Sequence, residues 1–191
     1  SNNSIFARVG MDYTKFAELT AKNGEPGYEW LENAKDYSRM RNDELDRKDF
    51  RARGGNPCLE QTLEPYELCC LVETYPSKHD NLEDWQETLK YAFMYAKTVT
   101  LVPTHNHNTN SVMARNRRIG TSMSGITQAF VKFGRRNFLD ACNEGYEWLK
   151  FLDDKLSEEF AIPKSIKLTS VKPSGTVSLL AGVSPGIHYP Q

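Results

Sequence analysis

The chain has 191 residues, of which 39% are hydrophobic and 26% charged, with a formal net charge of -1. That is enough length and apolar content for a buried core, and a charge balance with no pull toward nucleic acid or membrane. No apolar run approaches the ~20 residues of a membrane helix, and the opening Ser1-Asn2-Asn3-Ser4 has neither the basic nor the apolar part of a secretory signal, so the default reading is cytoplasmic.

In chain order, Asp12 to Asn23 predicts a short helix, with Asp12 at its N-cap and Gly24 as its stop. Gly24-Glu25-Pro26-Gly27 is a turn cluster. Residues 28 to 53 are charged and weakly periodic, a surface connection with a helical turn or two. Then comes Gly-Gly-Asn-Pro-Cys-Leu-Glu-Gln-Thr-Leu-Glu-Pro-Tyr-Glu-Leu-Cys-Cys, residues 54 to 70. In an extended segment side chains two apart share a face, so Asn56, Cys58 and Glu60 form one row. The Gly-Gly entry and the Asn-Pro turn suit a loop bent to present that row. The set unites a sulfur fit for one-electron or nucleophilic chemistry, an acid/base, and a second thiol at Cys69, eleven residues beyond the first. On spacing alone, a single cysteine is more often a small buried hydrophobe than a catalyst.

Leu82 to Lys97 predicts a helix capped by Asn81, with Trp85, Leu89, Phe93 and Ala96 as one apolar stripe. Thr98 to Val102 is β-branched and reads as a strand, and residues 103 to 111 as a polar loop. Short helices follow over Val112–Arg118, ending near Gly120, and over Gly125–Phe133. Asn137 to Phe160 is the longest helix, burying Phe138, Ala141, Trp148, Leu149, Leu152 and Leu156 and ended by Ile162-Pro163. Ile166 to Val171 reads as a strand. Helices alternating with short apolar strands indicate an α/β class.

After that last strand, Lys172-Pro173-Ser174-Gly175-Thr176-Val177-Ser178 is a small, hydroxyl-rich loop leading into a helix start. Converging backbone N–H groups, added hydroxyls and an electropositive helix end can wrap a phosphate. Alone the tripeptide Ser-Gly-Thr is more often a plain turn, and the Gly-Lys-Ser/Thr ending of a P-loop is absent. His105 and His107 have no Cys or carboxylate at ligand spacing, which reads as a polar loop rather than a metal site. Arg115-Asn116-Arg117-Arg118 and Arg135-Arg136 read as ion pairs or local phosphate contacts. Cys142 and Cys70 read as inert core, and the four cysteines form no disulfide framework.

Asn56-Pro57-Cys58-x-Glu60 followed by Cys69 resembles the finger-loop signature of ribonucleotide reductase large subunits. The short interval between the cysteines and the segment Glu67-Leu68-Cys69-Cys70-Leu71-Val72-Glu73 look most like the adenosylcobalamin-dependent, monomeric branch. Lys172 to Ser178 is similar to that family's substrate-phosphate loop. Ala96 to Leu101 and Asn116 to Ser122 also look like family segments. The resemblance implies that residues 1–191 are the central part of a ten-stranded α/β barrel, with the catalytic cysteine on a central finger loop at about 54–70 and the rest of the barrel lying before and after. It further implies adenosylcobalamin as the radical source, a ribonucleoside triphosphate substrate, a deoxynucleotide effector and a thioredoxin-like reductant.

By the same resemblance, Cys58 would carry the thiyl radical that takes the ribose 3′ hydrogen. Glu60 would accept the 3′-hydroxyl proton as the 2′-hydroxyl leaves as water, and Asn56 would hold Glu60 or the substrate hydroxyls. Cys69 would be one half of the reducing dithiol, whose other half lies before residue 1. Ser174, Gly175, Thr176, Val177 and Ser178 would bind the substrate phosphates. Leu59 stands where the family commonly has Gly; on an extended loop it points away from the cavity.

Three alternatives stay open. One is the large subunit of a metal-radical-dependent ribonucleoside-diphosphate reductase, in which the second cysteine usually lies farther from the first. Another is a glycyl-radical acyltransferase, prompted by the adjacent Cys69-Cys70 pair. The last is a non-enzymatic nucleotide- or RNA-binding module that uses the basic clusters.

Overall fold

The computed structural model describes residues 3–41 and 48–186. The chain divides into two compact units, Ser1–Pro65 and Tyr66–Gln191.

In the first unit, β1 (Ser4–Phe6) pairs in parallel with β2 (Gly27–Glu29), in the register Ser4↔Gly27. Parallel strands need a crossover, and α1 (Thr14–Asn23) supplies it. It begins two residues later than the sequence predicts. The Asp12 carboxylate still accepts from the Thr14 N–H at 3.0 Å, and that bond holds its carboxyl below the usual range. Gly24 ends the helix as expected, at φ +73, where only glycine is unstrained. The charged stretch holds α2 (Leu31–Tyr37), and part of it lies outside the described residues. The hairpin of β3 (Gly54–Gly55) and β4 (Thr62–Leu63) is antiparallel and closes the unit.

In the second unit, β5 (Cys70–Thr74) and β6 (Ile119–Met123) are parallel neighbours, with Glu73 opposite Ser122. Their crossover contains a short 3₁₀ turn at Pro76–Lys78, α3 (Leu82–Val99) and α4 (His107–Asn116). Then come α5 (Ile126–Phe133), α6 (Arg135–Glu159) and the five-residue α7 (Val177–Ala181). The predicted stripe of α3 is the centre of the core: Trp85, Leu89, Phe93 and Ala96 pack with Phe138, Ala141, Leu149, Leu152 and Leu156 of α6, and with Ile119 and Leu168. Each such large side chain contributes about 1.5–3 kcal/mol on burial. Trp85 keeps its indole N–H satisfied by donating to Thr74 Oγ1 at 3.2 Å. Trp148, by contrast, is half-exposed and stacks on Phe151.

The β-branched run Thr98–Val102 is not a strand. Asn81 caps α3 as predicted, accepting from Asp84 N at 2.7 Å, but the helix continues to Val99 and closes with Thr100 N donating to Ala96 O. Strand propensity yields here to burial of Ala96 and Lys97 on the helix face that meets α6. The polar stretch 103–111 is also only partly a loop. Asn106 accepts from the N–H groups of Asn108 and Thr109 and starts α4 five residues earlier than predicted. That helix stops at Asn116 with Arg117 left-handed, and Gly120 belongs to β6. Ile166–Val171 is extended alongside β6 but forms only the single bridge Thr121↔Thr169. No described helix is long and apolar enough to cross a membrane.

Candidate active site

The first thiol sits on a tight turn, not on an extended row. Leu59 N donates to Asn56 O at 2.9 Å, placing Asn56 and Pro57 at the first two positions of a turn, which those residues favour. Asn56 N donates to Gln61 O, and Asn56 Oδ1 accepts from Gln61 N at 3.1 Å. The buried Asn56 side chain therefore closes the loop through the residue next to Glu60. Cys58 is exposed at the tip and Glu60 half-buried below it. Sequence reasoning missed Gln61, which is wholly buried; an Asn five residues ahead, across an Asn-Pro turn, is the signal that could have flagged it.

Leu59 has φ +63, the region that glycine holds without strain. It also lines a cleft of about 310 Å³ together with Pro57 and Cys58, so Leu59 and Cys58 border the same space. A turn has no alternating faces, which is why the extended-strand parity fails here. The cleft is at the small end of ligand-sized pockets.

Cys70 opens the second unit's β5, and Cys69 lies just before it. Cys69 is exposed and Cys70 buried. Burial, with the nearby Cys69 and Glu67 charges, pushes the Cys70 thiol up to about 11. The same segment is anchored by a buried ion pair, Arg118 Nε 3.0 Å from Glu67 Oε1, and by Asn116 Nδ2 donating to that oxygen at 2.9 Å. The basic cluster thus supplies an internal ion pair, one of the two roles predicted for it. Cys142 is half-buried against the core and its thiol is pushed to about 11 by burial. His107 is the first residue of α4, and among the described residues no group of side chains could hold a metal ion.

The loop at 172–178 lies where β5, β6 and the 166–171 segment end together, the edge of a parallel sheet at which ligands commonly bind. Lys172 N donates to Ser122 Oγ at 2.9 Å. Ser174 is buried, at φ +54, and its hydroxyl is shared between Ser124 Oγ, Pro173 O at 2.8 Å and Gly186 N at 3.0 Å. Ser178 N donates to Ser174 O at 2.8 Å, and Val177 and Ser178 are already in α7. Gly175 and Thr176 stay exposed. Of the five predicted phosphate binders, Ser174 and Ser178 are thus buried in the loop's own structure. Gly175 and Thr176 are the ones presented outward. Gly186 packs so closely that a Cβ there would overlap the Lys172 carbonyl oxygen.

No family model matches the chain. It is 64% identical over 191 residues to a probable adenosylcobalamin-dependent ribonucleoside-triphosphate reductase of Dictyostelium discoideum, covering all of this chain and 25% of that protein. The enzyme of the same name from Euglena gracilis is 56% identical, again over the whole chain and 26% of its own length. That of Lactobacillus leichmannii is 34% identical over 99% of this chain and 29% of its own. A crystal structure of a B12-dependent, class II ribonucleotide reductase superposes with TM-score 0.81 at 31% identity, over 98% of this chain and 30% of the other. The class Id ribonucleotide reductase alpha subunit of Actinobacillus ureae shares the fold, with TM-score 0.68 at 17% identity over 92% of this chain and 38% of the other. The chain spans about a quarter of the length of the Dictyostelium and Euglena relatives. It is therefore a homologue, across its whole length, of one segment of the adenosylcobalamin-dependent ribonucleoside-triphosphate reductases.

Proposed function

We propose that this chain is the central part of the ten-stranded catalytic barrel of an adenosylcobalamin-dependent ribonucleoside-triphosphate reductase, working in the cytoplasm. The observation that carries the proposal is Cys58, an exposed thiol at the tip of an Asn-Pro turn and bordering a cleft, in a chain this similar to those enzymes. Adenosylcobalamin, when bound, supplies the radical chemistry that side chains cannot generate alone. The exposed thiol fits such a group, because hydrogen-atom exchange needs a sulfur that can be reached.

As a thiyl, Cys58 takes the ribose 3′ hydrogen and later returns it. Glu60 accepts the 3′-hydroxyl proton while the 2′-hydroxyl leaves as water. Asn56 fixes Glu60 through its bond to the Gln61 N–H. Two protons and two electrons come from a dithiol, Cys69 and a partner thiol, which ends as a disulfide. The net reaction converts ribonucleotide and dithiol to deoxyribonucleotide, disulfide and water. A thioredoxin-like protein re-reduces the disulfide, and a deoxynucleotide is the effector. The 172–178 loop binds the triphosphate, chiefly through its outward residues Gly175 and Thr176.

The test uses the protein expressed from its full reading frame, without any partner subunit. Deoxynucleotide formation from ribonucleoside triphosphates is assayed with a dithiol, with and without adenosylcobalamin, beside Cys58→Ala. Product that needs both the cofactor and Cys58 is expected. Product without added cofactor, or retained in Cys58→Ala, would overturn the proposal, and so would no product at all.

A further inference from the structure

Behind the 172–178 loop stands a carboxylate that the reaction above does not use. Glu73, on β5, accepts a hydrogen bond from Ser124 Oγ, and Ser124 is in turn hydrogen-bonded to Ser174 Oγ. Ser124 is wholly buried and Ser174 nearly so. Since Ser124 gives its proton to Glu73, its oxygen is left to accept from Ser174. The carboxylate thus draws the Ser174 proton toward the strand end, where Ser124 Oγ shares it with Pro173 O. That matters because Ser174 is held at φ +54, a conformation that residues other than glycine seldom keep without help. A second tether from the same strand end, Tyr75 OH donating to Val177 O at 3.3 Å, fixes the far side of the loop. Gly186 N closes the arrangement by donating to both Pro173 O and Ser174 Oγ.

An acid placed behind an anion-binding loop is unfavourable for the anion unless it does something else there. Burial pushes the Glu73 carboxyl up, while the hydroxyls of Ser124 and Ser122 and the Lys172 charge pull it back. We propose that Glu73 is the positioning residue of the phosphate loop, acting through Ser124 on Ser174 to hold Gly175 and Thr176 in the conformation that receives a phosphate. This rests on the reading of 172–178 as the phosphate site. It assigns the loop's shape to a residue roughly a hundred positions earlier in the chain.

The experiment is amide hydrogen exchange over the peptide spanning 172–186, in the protein from its full reading frame, with and without inorganic tripolyphosphate. KM and kcat for a ribonucleoside triphosphate are measured alongside. Wild type and Glu73→Gln, whose amide oxygen can still accept from Ser124, should show slow exchange and further protection by tripolyphosphate. Glu73→Ala should exchange about tenfold faster, lose that protection and raise KM about tenfold, with kcat within about twofold, the effect of one lost charge-assisted hydrogen bond. Ser124→Ala should reproduce the pattern and serves where Glu73→Ala does not fold. Wild-type exchange and KM in both alanine variants overturn the proposal, as does a wild-type loop that tripolyphosphate does not protect. If the exchange pattern appears while no ribonucleotide is reduced, the functional reading fails and the positioning role stands. If reduction is intact and KM does not move, only the role of Glu73 fails.

Discussion

Lys97 Nζ lies 2.6 Å from Asp153 Oδ1, and both side chains are almost completely shielded from solvent. The same ammonium donates to Ser157 Oγ at 3.1 Å, Ser165 Oγ at 3.0 Å and Pro163 O at 3.3 Å, while Asp153 Oδ2 accepts from Ser165 N at 2.9 Å. One ion pair therefore ties α3, α6 and the segment after α6 together. Removing one partner leaves a buried charge uncompensated, so Lys97→Met should lower the unfolding free energy by about 3–5 kcal/mol in urea denaturation. Adding Asp153→Leu should recover part of that loss. It cannot recover all, because the Ser165 N–H then lacks its acceptor. A single Lys97→Met variant as stable as the parent would show that the pair contributes nothing.

The four thiols should separate by reactivity. Cys58 and Cys69 are exposed, whereas burial pushes Cys70 and Cys142 up to about 11, which leaves roughly one thiolate in a thousand at pH 8. Iodoacetamide at that pH, followed by peptide mass spectrometry on this 191-residue chain, should modify the first two at least about tenfold faster. The same burial links stability to pH. A thiol that ionises near 9.0 when unfolded and near 11 when folded favours the folded state fully below pH 9. That contribution is lost as pH rises from 9 to 11. Replacing Cys142 with Ala should flatten the fall in denaturation midpoint across that window, and an unchanged slope would contradict the assignment.

Leu59 should tolerate glycine better than any β-branched residue. Its left-handed backbone costs an L-residue about 1–2 kcal/mol, which Gly avoids. Against this, the leucine packs closely over Gly55, a contact Gly would lose. The two effects nearly cancel, so Leu59→Gly should shift stability by less than about 1 kcal/mol, while Leu59→Val should lose more than that. Thermal unfolding of the two variants gives the comparison, and Leu59→Val matching the parent would refute it.

What was legible in the sequence was what local chemistry controls. The stripe of α3 and its Asn81 cap, the Gly24 stop and the buried face of α6 all follow from spacing and capping within a few residues. The β-branched run after Lys97 misled because a buried ammonium 56 residues from its carboxylate holds that turn helical. The row of Asn56, Cys58 and Glu60 misled differently. The Asn-Pro turn forms as expected, but it takes in Cys58 and Leu59 as well, so the residues after it are not extended and no alternating row arises. The link from Glu73 to Ser174 was invisible for a third reason. It exists only because parallel strands end side by side, and register between segments that far apart leaves no local trace.

An outward thiol, Cys69, stands just ahead of β5 and an inward one, Cys70, is its first residue. A one-residue slip in pairing turns every side chain over, and in an ordinary strand it would swap an outward thiol for a hydrophobe. Here, slipping in one direction carries Cys70 into the outward place of Cys69, so sulfur is still presented. The Arg118–Glu67 pair just ahead pins the register. A one-residue deletion between Glu67 and Cys70 would therefore test the anchor more severely than it tests the thiol.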